Sequence, residues 1–125
     1  MQKQIIFSEN APAPIGPYSQ AIKVGAMLFV SGQIALKEGQ MIQENIVAET
    51  KQVMENLQAI LISAGMSFDD VVKCTIFVKD LQNFQAINEV YGTYFTENAP
   101  ARETVEVSRL PKDANVEISC IAVKN

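Results

Sequence analysis

The segment Val116-Glu117-Ile118-Ser119-Cys120-Ile121-Ala122-Val123 places the strongest constraint on how this chain can fold. Its β-branched and apolar composition reads as a strand, and side chains along a strand alternate between the two faces of a sheet. One face carries Val116, Ile118, Cys120 and Ala122. The other carries Ile121 and Val123 beside Ser119 and Glu117. A strand that is apolar on both faces needs cover on both.

The only long amphipathic stretch runs from Asn45 to Ala64. Ile46, Thr50, Val53, Met54, Leu57, Ile60, Leu61 and Ala64 recur at three- and four-residue steps and make one apolar stripe, with Gly65 placed to cap the end. A second helix is expected from Phe84 to Phe95 on the stripe Phe84, Ile87, Tyr91 and Phe95, stopped by Asn98-Ala99-Pro100. Strands are expected at Gln4 to Phe7, Gln20 to Val24, Met27 to Ser31 and Val71 to Lys79. Pro12, Pro14, Gly16 and Pro17 make Ser8 to Pro17 a stiff loop, and Lys37 to Gln43 reads as a polar turn around Gly39. The order β-β-β-α-β-α-β-β describes an α+β fold with one mixed sheet and two helices on one face, a single domain over residues 1–125. Two helices cover one face only, so the second is expected to meet another copy of the same sheet in a closed homo-oligomer.

Composition removes several classes of chemistry. The chain has no histidine, which excludes histidine triads and histidine-based zinc sites. Cys74 and Cys120 stand at no metal-ligand spacing and read as small buried hydrophobes in a reducing compartment. The net charge of −4 and the lack of a basic cluster disfavour nucleic acid as the main ligand. No apolar run is long enough for a membrane span, and the N-terminus lacks a signal-peptide pattern, so a cytoplasmic protein is expected.

Pro100 to Leu110 and Val116 to Val123, joined by Pro111-Lys112-Asp113, read as an antiparallel pair. On that pairing Arg102 and Thr104 share a face, with Glu117 on the neighbouring strand. A guanidinium and a carboxylate at one sheet rim could hold an anionic small molecule beside a poised water. The plainer reading is a structural ion pair of Arg102 with Glu117 or Glu106. Taken singly, Tyr18 reads as a loop residue packed on the sheet, Ser31 before Gly32 as a bulge or turn residue, and Asn88 as a solvent-facing or back-bonding polar residue of a helix.

Along nearly its whole length the sequence resembles the RidA (YjgF-type) family of enamine/imine deaminases. The resemblance rests on Ile15-Gly16-Pro17-Tyr18-Ser19-Gln20, Ser31-Gly32-Gln33-Ile34, Asn56-Leu57, Ala64-Gly65, Asn88 with Tyr91, and Pro100-Ala101-Arg102. It continues through Val105-Glu106-Val107, Arg109-Leu110-Pro111-Lys112-Asp113 and Val116-Glu117-Ile118. It implies a chorismate-mutase-like fold and a homotrimer with sites between subunits. It also implies cofactor-independent hydrolysis of 2-imino acids, such as 2-iminobutanoate and 2-iminopropanoate, to 2-oxo acids and ammonia. The family's site maps onto Tyr18, Ser31, Gly32, Asn88, Arg102, Thr104 and Glu117. Arg102 would bind the substrate carboxylate and Glu117 would activate water, with the remainder lining the pocket. The chain departs from the family at Glu103-Thr104, where a small residue and a cysteine usually follow the arginine.

Two other functions fit the same residues. One is a small-ligand-binding or regulatory module that keeps the anion pocket without turnover, and the other is a protein- or RNA-interacting factor. Glu117 separates the first from an enzyme, because a second negative group facing an anionic ligand serves a hydrolase and not a binder. The doubly apolar strand makes its own prediction. Light scattering should return a multiple of the 13.7 kDa chain mass, and a stable monomer would contradict the uncovered-face argument.

Overall fold

The computed structural model describes residues 2–125. Its elements are β1 (Gln4–Ile6), β2 (Ala21–Val24), β3 (Met27–Gln33), β4 (Leu36–Lys37), β5 (Gln40–Met41), α1 (Ile46–Ser63), β6 (Val71–Val78), α2 (Phe84–Gly92), β7 (Ala101–Glu106) and β8 (Val116–Val123). A 6-stranded mixed sheet has the order β1-β2-β3-β8-β6-β7. The expected polar turn after β3 is itself a two-stranded hairpin, β4 with β5. The second helix stops at Gly92, short of Phe95.

One expectation about the sheet is overturned. β7 and β8 do not pair with each other; β6 lies between them, antiparallel to β8 and parallel to β7. The physical reason lies in β8. A strand apolar on both faces belongs at the centre of a sheet, and β8 bonds β3 on one edge and β6 on the other. The crossover through α2 then returns β7 beside β6 in the same direction, at the sheet edge. β7 also ends at Glu106, and Val107 to Leu110 leave the ladder after one more bond, from the Val107 N–H to the Val78 carbonyl at 2.8 Å.

α1 forms where the apolar stripe places it. Asn45 caps its start, accepting from the Ala48 N–H at 2.8 Å. At the other end Gly65, at φ +74°, donates to Ile62 O while Met66 donates to Leu61 O, a Schellman ending that only a left-handed residue completes. Val53, Met54, Leu57, Ile60 and Leu61 are fully buried against Leu28, Ile76, Ile118 and Ala122 of the sheet. Each such side chain contributes about 1.5–3 kcal/mol by leaving water.

Helical periodicity did not announce two polar residues in this packed layer. Asn56, 2% exposed, donates to the carbonyls of Ile34 and Leu36 and so ties the β4 hairpin to the helix. Glu49, 0% exposed, accepts from the Asn115 backbone N–H at 2.7 Å and from its side-chain amide at 2.8 Å. That pair fastens the turn before β8 to α1.

The sheet's other face is open. Ile5, Ile22, Phe29 and Ile121 stand in one register row across β1, β2, β3 and β8. Ile5 and Phe29 are exposed at 64% and 43%. No helix among the described residues is long and apolar enough to cross a membrane.

Asn115→Ala removes one hydrogen bond to a buried carboxylate and keeps the backbone bond. It should lower stability by about 1.5–3 kcal/mol, seen as a fall in the urea midpoint at unchanged slope.

Candidate functional site

The residues expected in the site gather into two groups on opposite faces of the sheet. The first surrounds Glu117 on the open face. Between the pairs Val30↔Cys120 and Gln33↔Ile118, two residues of β3 oppose one of β8, a β-bulge. Those two are Ser31 and Gly32. The bulge turns the Gly32 backbone against the Glu117 side chain: a Cβ built on Gly32 would lie 2.6 Å from Glu117 Oε2 and 2.8 Å from its carboxyl carbon. Glycine is therefore the seat on which the carboxylate rests.

Ser31 Oγ donates to the Ser19 carbonyl at 2.6 Å, joining β3 to the proline-rich loop. Gln20, 2% exposed, fixes the base of that loop: it accepts from Ser8 N–H at 2.7 Å and donates to the Pro12 carbonyl at 2.8 Å. Tyr18 follows the loop, its hydroxyl accepting from Ile15 N–H at 3.3 Å. Ile15, Tyr18, Ser31, Gly32, Ile34, Pro111 and Glu117 line an open groove of about 360 Å³. Burial raises the Glu117 pKa above the usual glutamate range. A half-buried carboxyl among apolar walls holds its proton more tightly than in water, which moves it toward the range of a useful base.

The second group surrounds Arg102 on the helix side. Arg102 pairs in register with Cys74, and Cys74 with Cys120, which is 4% exposed in the core. Arg102 Nη1 donates to Asn88 Oδ1 at 2.7 Å, and the guanidinium lies over the rings of Tyr91 and Phe84 at 5.0 Å and 5.7 Å. Thr104 shares this face, and its hydroxyl is buried without a hydrogen-bond partner among the described residues.

The expected Arg102–Glu117 rim is thus corrected. Glu117 stands in the register row with Phe77 and Val105, whereas Arg102 stands in the row with Cys74 and Cys120. Alternation sends the two rows to opposite faces, so Arg102 and Glu117 of one chain form neither an ion pair nor a single pocket. Glu106 is no partner of Arg102 either, since its carboxylate accepts from the Leu81 N–H. Asn88, read alone as solvent-facing or back-bonding, is half-buried and accepts from the guanidinium instead.

Glu103 turns to the open face, where it accepts from Thr75 Oγ1 at 2.9 Å and meets Lys73 Nζ at 3.1 Å. Those contacts, Thr75 first, hold its carboxyl below the usual glutamate range. The departure from the family pattern therefore leaves Arg102 without an acidic neighbour on its own face. Both cysteines are free and buried, and burial raises the Cys74 pKa and pushes Cys120 up to about 12. They pack as apolar side chains, as expected.

Sequence reading overlooked Phe84, Tyr91 and Gln20 as parts of the site. Periodicity places Phe84 and Tyr91 on the core stripe of α2; their four- and three-residue spacing from Asn88 is the signal that they share its face. Nothing local marked Gln20, whose role depends on contacts eight to twelve residues away.

Residues 8–124 match the family described as Endoribonuclease L-PSP. A RutC family protein of Pyrococcus horikoshii is 55% identical over 124 residues, with 98% of each chain covered. Protein DfrA of Myxococcus xanthus is 52% identical over 127 residues, covering 98% of this chain and 97% of its own. Among solved structures, the Rid family protein YyfA of Yersinia pestis superposes with a TM-score of 0.96 at 44% identity, covering 98% of this chain and all of its own. The YjgF gene product of E. coli gives 0.93 at 43% identity, and E. coli TdcF with bound serine 0.93 at 41%, each covering 98% of this chain and 99% of its own. Matched along almost its full length in both sequence and fold, the chain belongs to the RidA (YjgF-type) family.

Proposed function

We propose that this protein is a hydrolytic deaminase that converts 2-imino acids, in equilibrium with 2-enamino acids, to 2-oxo acids and ammonia. The observation that carries the reading is the pair of complementary half-sites: a guanidinium with no acidic partner on one sheet face, and a half-buried carboxylate over a glycine seat on the other. Neither completes a pocket alone. A second copy docked on the apolar open face would bring the Glu117 groove of one chain toward the Arg102 edge of another, in keeping with the expected homotrimer. The relative TdcF holds serine, a small molecule with the carboxylate such a site needs.

The chemistry asks little of the protein. A protonated imine is already an electrophile, so no strong nucleophile is required. Arg102 binds the substrate carboxylate through charge-assisted hydrogen bonds worth about 1.5–3 kcal/mol and fixes the imine carbon in place. Glu117 takes a proton from water as the oxygen bonds to that carbon, giving a tetrahedral aminoalcohol. The proton passes from Glu117 to nitrogen. The carboxylate then takes the hydroxyl proton as the C–N bond breaks, the carbonyl forms and ammonia leaves, and that proton goes on to ammonia or solvent. Positioned base catalysis of this kind contributes about 10²–10⁴-fold. The unpartnered Thr104 hydroxyl supplies a donor where relatives carry a thiol, so the Glu103-Thr104 departure is compatible with turnover.

A nuclease, the activity in the matched family's description, is less well supported. A net charge of −4 opposes the phosphate attraction that supplies most of the affinity for nucleic acid.

The test generates 2-iminobutanoate or 2-iminopropanoate in situ with a dehydratase and follows 2-oxo acid release. Arg102→Ala should lower kcat/KM about 10- to 150-fold, and Glu117→Gln should lower kcat about 10²–10⁴-fold. Because the base must be ionised and its pKa is raised, the wild-type rate should fall with decreasing pH through a value above the ordinary 4.5. That acid limb should vanish in Glu117→Gln. No acceleration by the wild type would refute the enzyme reading in favour of a binding module.

Gly32→Ala tests the seat. The added methyl displaces a flexible side chain rather than backbone, so the fold should survive. Misplacing the base should cost on the order of 10²-fold in kcat, and an unaltered kcat would refute the seat.

A further inference from the structure

Three residues of α2 converge on one guanidinium. Phe84, Asn88 and Tyr91 are spaced by four and three, which puts them on one face of the helix. Asn88 Oδ1 accepts from Arg102 Nη1 at 2.7 Å, and the ring centres of Tyr91 and Phe84 lie 5.0 Å and 5.7 Å from the guanidinium carbon. Both distances fall within the ~6 Å reach of cation–π attraction. Tyr91 is 6% exposed, and its ring sits 4.8 Å from Phe95, which itself packs on Phe68 at 5.3 Å. The ring under Arg102 is therefore a fixed wall. Its buried hydroxyl lies toward the Cys74 thiol and makes no hydrogen bond to Arg102, so the ring is the part that acts on Arg102.

None of these three side chains is charged. No carboxylate stands within ion-pair distance of Arg102 among the described residues, where the ion pairs are Lys73–Glu103 and Arg109–Asp113. The acid next to Arg102 in sequence is held on the opposite face by Lys73 and Thr75. An arginine paired with a carboxylate would meet an anionic ligand with its charge already spent. One held by an amide oxygen and two π faces is fixed in direction yet keeps its charge and its remaining N–H donors.

We propose that the Phe84–Asn88–Tyr91 face of α2 is an uncharged clamp that sets the ligand affinity of Arg102, with Tyr91 as its principal positioning residue. The proposal rests on the reading of Arg102 as the group that binds the substrate carboxylate. It assigns Tyr91 a role in affinity and none in the chemical step.

The test compares full-length wild type with Tyr91→Leu, Tyr91→Phe and Phe84→Leu. Steady-state kinetics on 2-iminobutanoate are read alongside calorimetric titration with 2-oxobutanoate, an unreactive carboxylate probe. Tyr91→Leu should raise both KM and the 2-oxobutanoate Kd about five- to thirtyfold, with kcat changed less than about threefold. Tyr91→Phe should restore the wild-type values, because it returns the ring. Phe84→Leu should shift Kd the same way by a smaller factor, since that ring is more distant and partly exposed.

A folded Tyr91→Leu with unchanged Kd, or with kcat lost at constant KM, would overturn the clamp. So would Tyr91→Phe as damaged as Tyr91→Leu. If Tyr91→Leu does not fold, Phe84→Leu decides at an exposed position, and an unchanged Kd there overturns the proposal. A wild type that binds 2-oxobutanoate without accelerating imine hydrolysis would end the deaminase reading while the Kd series still judged the clamp. A wild type that does not bind 2-oxobutanoate would overturn the clamp itself.

Discussion

Glu117 is carried on a strand whose opposite face is buried in the core. Val116, Ile118 and Ala122 of β8 are fully buried under the helices. Their packing fixes the strand in height and rotation, and the two-residue period then forces Glu117 outward to the open face. The same period on β7 sends Arg102 inward toward α2. The central constraint on the site is this alternation, anchored by burial that a local change cannot slip by one residue without exposing the whole apolar row. Within one chain the sheet separates Arg102 from Glu117, and the two do not pair.

Each half is held by a different kind of interaction. On the open face a β-bulge supplies two successive residues where one would normally stand, and the absence of a side chain at Gly32 makes room for a carboxylate. Burial there raises the pKa of Glu117 without any cation to lower it. On the helix side an amide and two aromatic rings hold a guanidinium without opposing its charge.

The polar groups behind these halves are satisfied with few exceptions. Glu49 fastens the turn that precedes β8, Asn56 ties down the small hairpin, and Gln20 closes the proline-rich loop that ends at Tyr18. The buried hydroxyls of Thr104 and Tyr91 are the exceptions, and both lie on the Arg102 side. Thr104 stands two residues from Arg102 on the same strand face.

Much of the fold was legible in the sequence because it depends on period. The three- and four-residue recurrence from Ile46 to Ala64 marked α1, Gly65 marked its end, and the two-sided apolarity of Val116 to Val123 marked a strand that needs cover on both faces. The family motifs also named the candidate site residues in order. Pairing was not. Nothing in Pro100 to Val123 distinguishes a hairpin from two strands separated by a third, because strand order depends on where α2 returns the chain and on which edges remain unfilled. That choice moved Arg102 away from Glu117. The sequence by itself determined the periods that build α1 and β8, and it named Arg102 and Glu117 as candidate site residues. Only the tertiary structure decided that these side chains stand on opposite faces, because inserting β6 between β7 and β8 resets the register that assigns each residue its side.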